Sequence, residues 1–454
     1  MKRIITALTI LALLLCALPA SAEKRTDRPE LFRAKVEFTD RKEEDNRYYI
    51  SKEYLITANE IVNEILRKRT DNFDIAMRPL MKPCPSKNAK RNSRLDIETV
   101  YTFTGDSWIS TMILARLTFE RKQLDVPFIT GVYDLRTGDE ITMGDLFAKD
   151  SPAWQVLSEG VTDQLNAYYP QDPRNPEGVA ELAEIPALRG ASFTLSAMEL
   201  TLHYPAQLVY PGQTGIMHVR FFYDDLWDMM TPEARVQTDN TDWKMVALTC
   251  DDGVSYTDTP DVLNSWRRGG ARITYFVVGK TLLEYPELAK READQNHILA
   301  CHSHTHRNGH RLSEAQILRE ISNHQKLMEQ IVGVPSPLFR APGGTYPPWI
   351  KAKIGLPVIQ WSVDTYDYTG KSADRICYSL RKHVKDGDVI LMHDTSKELA
   401  KAAEEITEYL WDHGYMMVTV EELARANDVK MEPNTLYYRF IDGRTDKRTD
   451  SNLN

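Results

Sequence analysis

Two adjacent carboxylates and two closely spaced histidines are the residues of this sequence whose types and spacing could perform chemistry. Asp251 and Asp252 follow a short apolar run, and adjacent carboxylates repel each other unless a cation binds them or one is protonated. His302 and His306 are four residues apart, so we expect a helical turn that presents both imidazoles to one metal ion. Two histidines and one carboxylate leave metal positions open for water and substrate. Each motif alone also fits a solvated turn or the polar start of a helix.

Three further polar segments follow apolar runs later in the chain. Arg340 begins an Arg-Ala-Pro-Gly-Gly segment. This arginine could hold a carboxylate in its ionised state, and the glycine N–H groups could face a developing oxyanion. The stretch from Trp361 to Tyr368 combines two carboxylates with aromatic rings, which suits a sugar-binding wall or, equally, a core strand. His393 ends another apolar run, where a single histidine is commonly structural. The five segments are informative only in combination.

The second half of the chain alternates short apolar strands with amphipathic stretches. Strands are expected at 246–249, 273–278, 298–301, 338–340, 358–363, 389–392 and 416–420. A helix over 314–332 is expected to begin at Ser313, with Gln316 three residues later. This alternation predicts a parallel α/β fold that could close into a barrel. All five segments then lie at the carboxyl ends of different strands, where such folds place their active sites.

The first half shows strands with occasional helices and predicts an α+β region without a clustered set of chemical groups. Hairpins are expected at 100–119 and 128–147, each around a Thr-Gly-Asp turn. We expect a linker at 23–34, α+β domains at 35–125 and 126–235, the barrel at 243–427 and a polar tail at 428–454.

The N-terminus predicts export from the cytoplasm. Lys2 and Arg3 precede an apolar run that ends at Leu18, and Ala20-Ser21-Ala22 supplies small residues for cleavage. We interpret residues 1–22 as a signal peptide, with an uncleaved anchor as the alternative. No later stretch predicts a membrane span, and a net charge of −9 argues against nucleic-acid binding.

Cysteine usage does not predict a disulfide scaffold. Four cysteines lie beyond the leader: Cys84, Cys250, Cys301 and Cys377. So few cysteines in a chain of this length favour buried free thiols, although a single bridge stays open.

The five segments together resemble the metal-dependent polysaccharide deacetylases, which are carbohydrate esterases with a distorted (β/α) barrel of the (β/α)7 type. Thr249–Gly253 matches Thr-Phe-Asp-Asp-Gly, His302–His306 matches His-Ser-x-x-His, and Arg340–Gly344 matches Arg-x-Pro. Asp364–Tyr368 matches Asp-x-x-Asp-Trp and Leu391–Asp394 matches Leu-x-His-Asp. The resemblance covers 243–427. Cys250 in place of Phe and Tyr368 in place of Trp depart from the pattern, at positions that are neither ligands nor acid/base groups.

This resemblance implies a role for each matched residue. The metal ligands would be Asp252, His302 and His306, with zinc as the simplest metal and cobalt or manganese as alternatives. Asp251 would be the general base, held ionised by Arg340, and His393 the general acid, held charged by Asp367. The oxyanion would contact Gly343, and the acetyl pocket would be shaped by Trp361 and Leu391.

The implied substrate is an extracellular acetylated amino-sugar polysaccharide. Peptidoglycan is favoured, because the first half loosely resembles domains of secreted bacterial peptidoglycan deacetylases, at Gly138–Phe147 and Leu200–Pro205. Whether N-acetylglucosamine or N-acetylmuramic acid loses its acetyl group stays open. The alternatives are a chitin-oligomer deacetylase, an acetylxylan esterase and a non-catalytic cell-wall-binding protein.

Overall fold

The computed structural model describes residues 24–42, 48–81, 93–119, 122–170, 179–345, 347, 353–441 and 444–445. The predicted signal peptide and Cys84 lie outside these residues. The first half begins with a sheet whose strands are β1 (Lys35–Lys42), β2 (Tyr48–Ile56), β3 (Ser93–Thr104), β4 (Trp108–Phe119), β5 (Lys122–Asp125), β6 (Phe128–Asp134) and β7 (Glu140–Ile141).

These seven strands form one sheet in the order β1-β2-β3-β4-β6-β7, with β5 also paired to β4. The β2–β3 pair is parallel and the other pairs are antiparallel. Helix α1 (Glu60–Met77) follows β2 and buries Val62, Leu66 and Phe73. The predicted hairpin between β3 and β4 is confirmed. The expected domain boundary at 125/126 lies within this sheet, since β4 pairs with strands on both sides of it.

The region up to residue 238 adds short helices and a small antiparallel sheet with its own apolar cluster. The sheet has the order β10-β9-β8. The elements are α2 (Met143–Leu146), α3 (Ala153–Ala167), α4 (Val179–Leu182), α5 (Ile185–Arg189), β8 (Phe193–Leu195), β9 (Glu199–Pro205), α6 (Ala206–Val209), β10 (Ile216–Phe222), α7 (Tyr223–Leu226) and α8 (Pro232–Thr238).

The second half is an α/β unit built on parallel strands, as predicted. Its elements are β11 (Lys244–Asp251), α9 (Thr259–Arg268), β12 (Thr274–Val277), α10 (Gly279–Glu284), α11 (Pro286–Asp294), β13 (Ile298–Cys301), α12 (Glu314–Ile331), β14 (Val358–Ile359), β15 (Val363–Asp364), α13 (Ala373–His383), β16 (Val389–His393), α14 (Lys397–Asp412), β17 (Tyr415–Val418), α15 (Val420–Ala426), β18 (Leu436–Tyr437), β19 (Phe440–Ile441) and β20 (Arg444–Thr445).

Strand β11 lies at the centre of this unit. The main sheet has the order β13-β12-β11-β16-β15, and the first half of β11 also pairs with β17. Two isolated bridges through Phe339 continue the parallel pairing from β13 to β14, so the strand expected at 338–340 is reduced to one bridging residue. Among the described residues no ladder joins β14 to β15, so closure into a barrel stays a prediction.

Two segments that we expected to lie outside the folded units contribute to the core. Phe32, in the expected linker, is buried and stacks on Phe103 with ring centroids 4.3 Å apart. In the expected polar tail, Tyr437 and Phe440 are buried, and β18 pairs with β14. The tail prediction is therefore wrong up to Ile441, because aromatic side chains cover the edge of the sheet there.

The described cysteines and helices add two findings. Cys250, Cys301 and Cys377 are buried free thiols. None of the described helices is both long enough and apolar enough to cross a membrane.

Candidate active site

The carboxyl end of β11 carries the two adjacent carboxylates in a tight turn. Asp251 is buried, whereas Asp252 is half-buried and has a positive φ of 74°. The next residue, Gly253, packs directly against the Asp394 carboxylate, and a Cβ atom at this position would collide with it. The glycine therefore allows the turn to lie against the neighbouring strand end, which fixes where the two carboxylates point.

The two histidines converge, but not through a helical turn. Residues 302–306 form an irregular loop after β13, with positive φ values of 64° at Ser303 and 54° at His306. The predicted helical turn is therefore wrong. The Nε2 atoms of His302 and His306 nevertheless lie 3.4 Å and 2.9 Å from Oδ1 of Asp252.

The donor atoms of Asp252, His302 and His306 form a possible metal site, since all lie within 4.8 Å of one another. The His302 Nδ1 atom lies 2.9 Å from the Arg340 carbonyl oxygen, and a carbonyl can only accept. His302 therefore donates through Nδ1 and turns its Nε2 atom towards Asp252. Oδ1 of Asp252 is buried and accepts no hydrogen bond within the described part of the chain. A buried carboxylate oxygen that faces two imidazole nitrogens in this way fits a bound cation.

Electrostatics favour a charged Asp252. Burial raises the pKa of this carboxyl, but the adjacent imidazoles of His302 and His306 lower it more, so the pKa lies well below the ordinary value. The carboxylate is therefore ionised at neutral pH, as a metal ligand must be.

A buried arginine holds the other carboxylate. Arg340 is fully buried, and its Nη1 atom donates to Asp251 Oδ1 at 2.6 Å and to Thr249 Oγ1 at 2.8 Å. Nε and Nη2 of the same side chain donate to the backbone oxygens of Ile359 and Gln360, each at 3.2 Å. The guanidinium is thus fixed on four sides, and it both neutralises and orients Asp251.

His393 lies across the sheet from Asp251, because Asp251 and His393 are register partners in the β11–β16 pair. Asp367 accepts hydrogen bonds from the His393 backbone N–H at 2.8 Å and from Nδ1 at 2.9 Å. Burial lowers the pKa of His393, but the bond and the charge of Asp367 raise it more, to about 9. At neutral pH the imidazole is therefore a cation that can donate a proton through Nε2.

The three predicted pocket residues have different surroundings in the structure. Gly343 has a positive φ of 63° and open space at its Cβ position, whereas Gly344 packs against the Trp361 ring. Trp361 is half-buried and lies 5.7 Å from the Arg340 guanidinium carbon. Leu391 is buried beside Thr249 in the β11–β16 register. The roles of these residues in binding an acetyl group stay predictions.

The residues that support the β11 turn were not predicted from the sequence. Thr259 donates to Asp394 at 2.6 Å, and burial raises the pKa of this Asp394 carboxyl to about 7. Thr281 of α10 donates to the Gly253 carbonyl at 2.7 Å and accepts from the Val254 N–H at 3.0 Å. Threonines near helix starts gave no signal of this function, since they are common there for capping.

Comparisons with known proteins agree with this geometry. Residues 238–355 match the family model described as polysaccharide deacetylase. A peptidoglycan-N-acetylglucosamine deacetylase, PgdA, of Listeria monocytogenes is 28% identical over 302 residues, which are 64% of this chain and 63% of that protein. The chain therefore spans under two thirds of that relative.

Two relatives from bacilli match shorter stretches of the chain. The peptidoglycan-N-acetylmuramic acid deacetylase PdaC of Bacillus subtilis is 32% identical over 187 residues, or 41% of this chain and 40% of that protein. A peptidoglycan-N-acetylglucosamine deacetylase of Bacillus cereus is 30% identical over 190 residues, or 40% of this chain and 89% of that protein. With nearly all of one relative matched at this identity, the chain belongs to the polysaccharide deacetylase family.

Proposed function

We propose that the chain hydrolyses N-acetyl groups of an amino-sugar polysaccharide and releases acetate. One observation carries the proposal: a carboxylate held by a buried arginine, a possible metal site and a cationic imidazole meet at the same strand ends. Asp251 lies next to Asp252 in the chain and opposite His393 in the sheet. Hydrolysis of an amide needs a base for the water and an acid for the leaving amine, and these residues supply both.

Asp252, His302 and His306 would hold a divalent metal, and we infer zinc, with cobalt and manganese as alternatives. One oxygen and two imidazole nitrogens suit zinc, and three protein ligands leave a coordination position free. When bound, such an ion supplies Lewis acidity, which polarises a carbonyl and makes water a stronger acid.

The residues of the chain itself would perform the proton transfers. Asp251 takes the proton of the attacking water, and the hydrogen bond from Arg340 orients its carboxylate for this step. The N–H group of Gly343 would face the developing oxyanion. His393 then donates its Nε2 proton to the leaving nitrogen, and Asp367 stabilises the cation until that moment. Trp361 and Leu391 shape the pocket for the acetyl methyl group.

Peptidoglycan is the substrate that the comparisons support best. The relatives' names specify N-acetylglucosamine in two cases and N-acetylmuramic acid in the third, so the deacetylated sugar stays open. A chitin-oligomer deacetylase or acetylxylan esterase would use the same side chains. We further infer that the protein acts outside the cytoplasm and that the parallel strands close into a distorted (β/α)7 barrel over 243–427.

The experiment is acetate release from purified peptidoglycan, chitin oligomers and acetylated xylan, before and after removal of the metal with a chelator. We expect release from peptidoglycan, its loss on chelation and its recovery when zinc is added back. Mass spectrometry of the digested glycan then locates the sugar that has lost its acetyl group. A protein that binds no divalent metal, or whose activity ignores the chelator, would contradict the mechanism.

A further inference from the structure

We propose that Tyr256 and Tyr285 form a platform that stacks a sugar ring of the glycan chain, at a subsite separate from the reacting sugar. The inference rests on the proposed function, since it assigns a second contact for the same substrate. The side chain of Tyr256 is 59% exposed, although exposure of an aromatic ring to water is unfavourable. The Tyr256 and Tyr285 rings lie 6.1 Å apart with an interplanar angle of 32°. Tyr285 is half-buried, so it supports the exposed ring of Tyr256 from one side.

The platform lies on the same edge of the sheet as the candidate active site. Tyr256 follows Asp252 by four residues in the loop after β11, and Tyr285 lies between α10 and α11. Four residues of chain span at most about 14 Å. The ring of Tyr256 contacts Tyr285, whereas the ring of His393 contacts Tyr368. An oligosaccharide that is bound at the candidate active site can therefore reach the platform.

The loop that carries Tyr256 is fixed on both sides, so the platform is preorganised. Thr281 of α10 bonds the backbone of Gly253 and Val254, as described above. On the other side, the Asp258 carboxylate accepts from Ser255 Oγ at 3.1 Å and from Thr257 Oγ1 at 2.6 Å. A surface that is already ordered loses little conformational entropy when a ligand binds.

The chemistry of the surroundings favours a carbohydrate. A pyranose presents an apolar C–H face to a tyrosine ring and hydroxyl groups at its edge. Hydroxyls of Ser255 and Thr257 lie beside Tyr256, and the Glu284 carboxylate accepts from the Tyr285 hydroxyl at 2.7 Å. Aromatic surface with nearby hydroxyl and carboxylate groups matches both parts of a sugar ring.

The test compares N-acetylglucosamine dimers and hexamers as ligands of the zinc-loaded full chain. Binding is measured by calorimetry in an Asp251→Asn background, so that turnover does not interfere. We expect the hexamer to bind more tightly than the dimer. Tyr256→Ala should reduce that advantage roughly tenfold, the size of one aromatic stacking contact. Tyr256→Phe should keep it, because the ring and not the hydroxyl provides the surface.

Tyr378→Ala is the matched control. Tyr378 is 56% exposed but belongs to α13, so its loss should leave the hexamer-to-dimer ratio at the parent value. Equal affinity of the parent for both ligands, or an advantage that survives Tyr256→Ala, overturns the platform. The proposed function can fail while the platform holds. In that outcome the zinc-loaded wild-type chain releases no acetate, although Tyr256→Ala still reduces the advantage of the hexamer over the dimer.

Discussion

Asp251 and Asp252 are neighbours in the chain, yet their surroundings give them different chemistry. Asp251 accepts from the buried Arg340 guanidinium and points its other oxygen towards His302, 3.7 Å away. Asp252 meets two imidazole nitrogens instead. One carboxylate is therefore suited to accept a proton and the other to bind a cation. Substitutions at the two positions should have different consequences.

Asp251→Asn should lower kcat for acetate release by roughly 10²- to 10⁴-fold, the usual contribution of a general base. The zinc content should stay at the wild-type level, because Asp252, His302 and His306 remain. Acetate assays and metal analysis of the purified variant test both statements. Asp239→Asn, at an exposed aspartate outside the site, is the control. A variant that keeps the wild-type rate would remove Asp251 from the mechanism.

The pKa of His393 predicts the alkaline limb of the pH profile. The imidazole must be protonated to act as an acid, so kcat/KM should fall as the pH rises through about 9. Asp367→Asn removes the charge that raises this pKa, and the limb should move down towards 6.5. Steady-state rates measured from pH 5 to 10 test this. An alkaline limb that does not move would show that another group sets it.

At the scale of elements, strand ends were predictable and loop geometry was not. The apolar runs of β11, β13 and β16 are short and continuous, so their ends placed Asp251, His302 and His393 at one edge. The spacing of His302 and His306 predicted a helical turn. The loop instead uses two positive φ values, and contacts to Arg340 and Asp252 orient the rings. Such tertiary contacts leave no periodic trace in a sequence.

The starts of helices were also only partly predictable from the sequence. The Ser313–Gln316 capping box was predicted and is present at the start of α12. At α1 the cap is Asn59, whose side chain accepts from the Ile61 and Val62 N–H groups. Capping by nearby polar residues depends on backbone angles that composition does not determine.

Gly253→Ala should disable the β11 turn. The added methyl group would meet the Asp394 carboxylate, so the turn must move and displace the carboxylates on it. We expect a loss of activity of at least about tenfold, since small displacements of catalytic groups are costly. Acetate release and thermal unfolding report the effect. Gly144→Ala, where the nearest atom is 3.5 Å away, is the control, and equal behaviour of the two variants would contradict the close approach.

At the scale of the whole molecule, the N-terminal sheet and the α/β unit share one apolar core. Phe32 and Phe103 from the first half lie against Trp243 and Trp411 from the second. Buried ion pairs cross the same boundary, since Glu53 of β2 binds Arg267 of α9 through both carboxylate oxygens. The sequence indicated separate units because patterns along the chain do not reveal which faces meet.

Glu53→Ala should destabilise the protein by about 3–5 kcal/mol, because it leaves the buried Arg267 cation without its partner. Chemical denaturation monitored by tryptophan fluorescence gives the free energy of unfolding. Glu64→Ala removes an exposed pair with Lys68 and should have no measurable effect. If both variants unfold at the same denaturant concentration, the two halves are not joined by this ion pair.

The pairing of β11 also affects the order in which parts of the chain fold. Thr249 donates to the backbone oxygen of Ile390, 141 residues further along the chain. Contacts between such distant residues form late and slowly during folding. Until β16 arrives, β11 has an unpaired edge that could join another chain. A nascent or truncated chain that ends before residue 389 would therefore carry the base and the metal ligands without their acid, and would be prone to aggregate rather than to act.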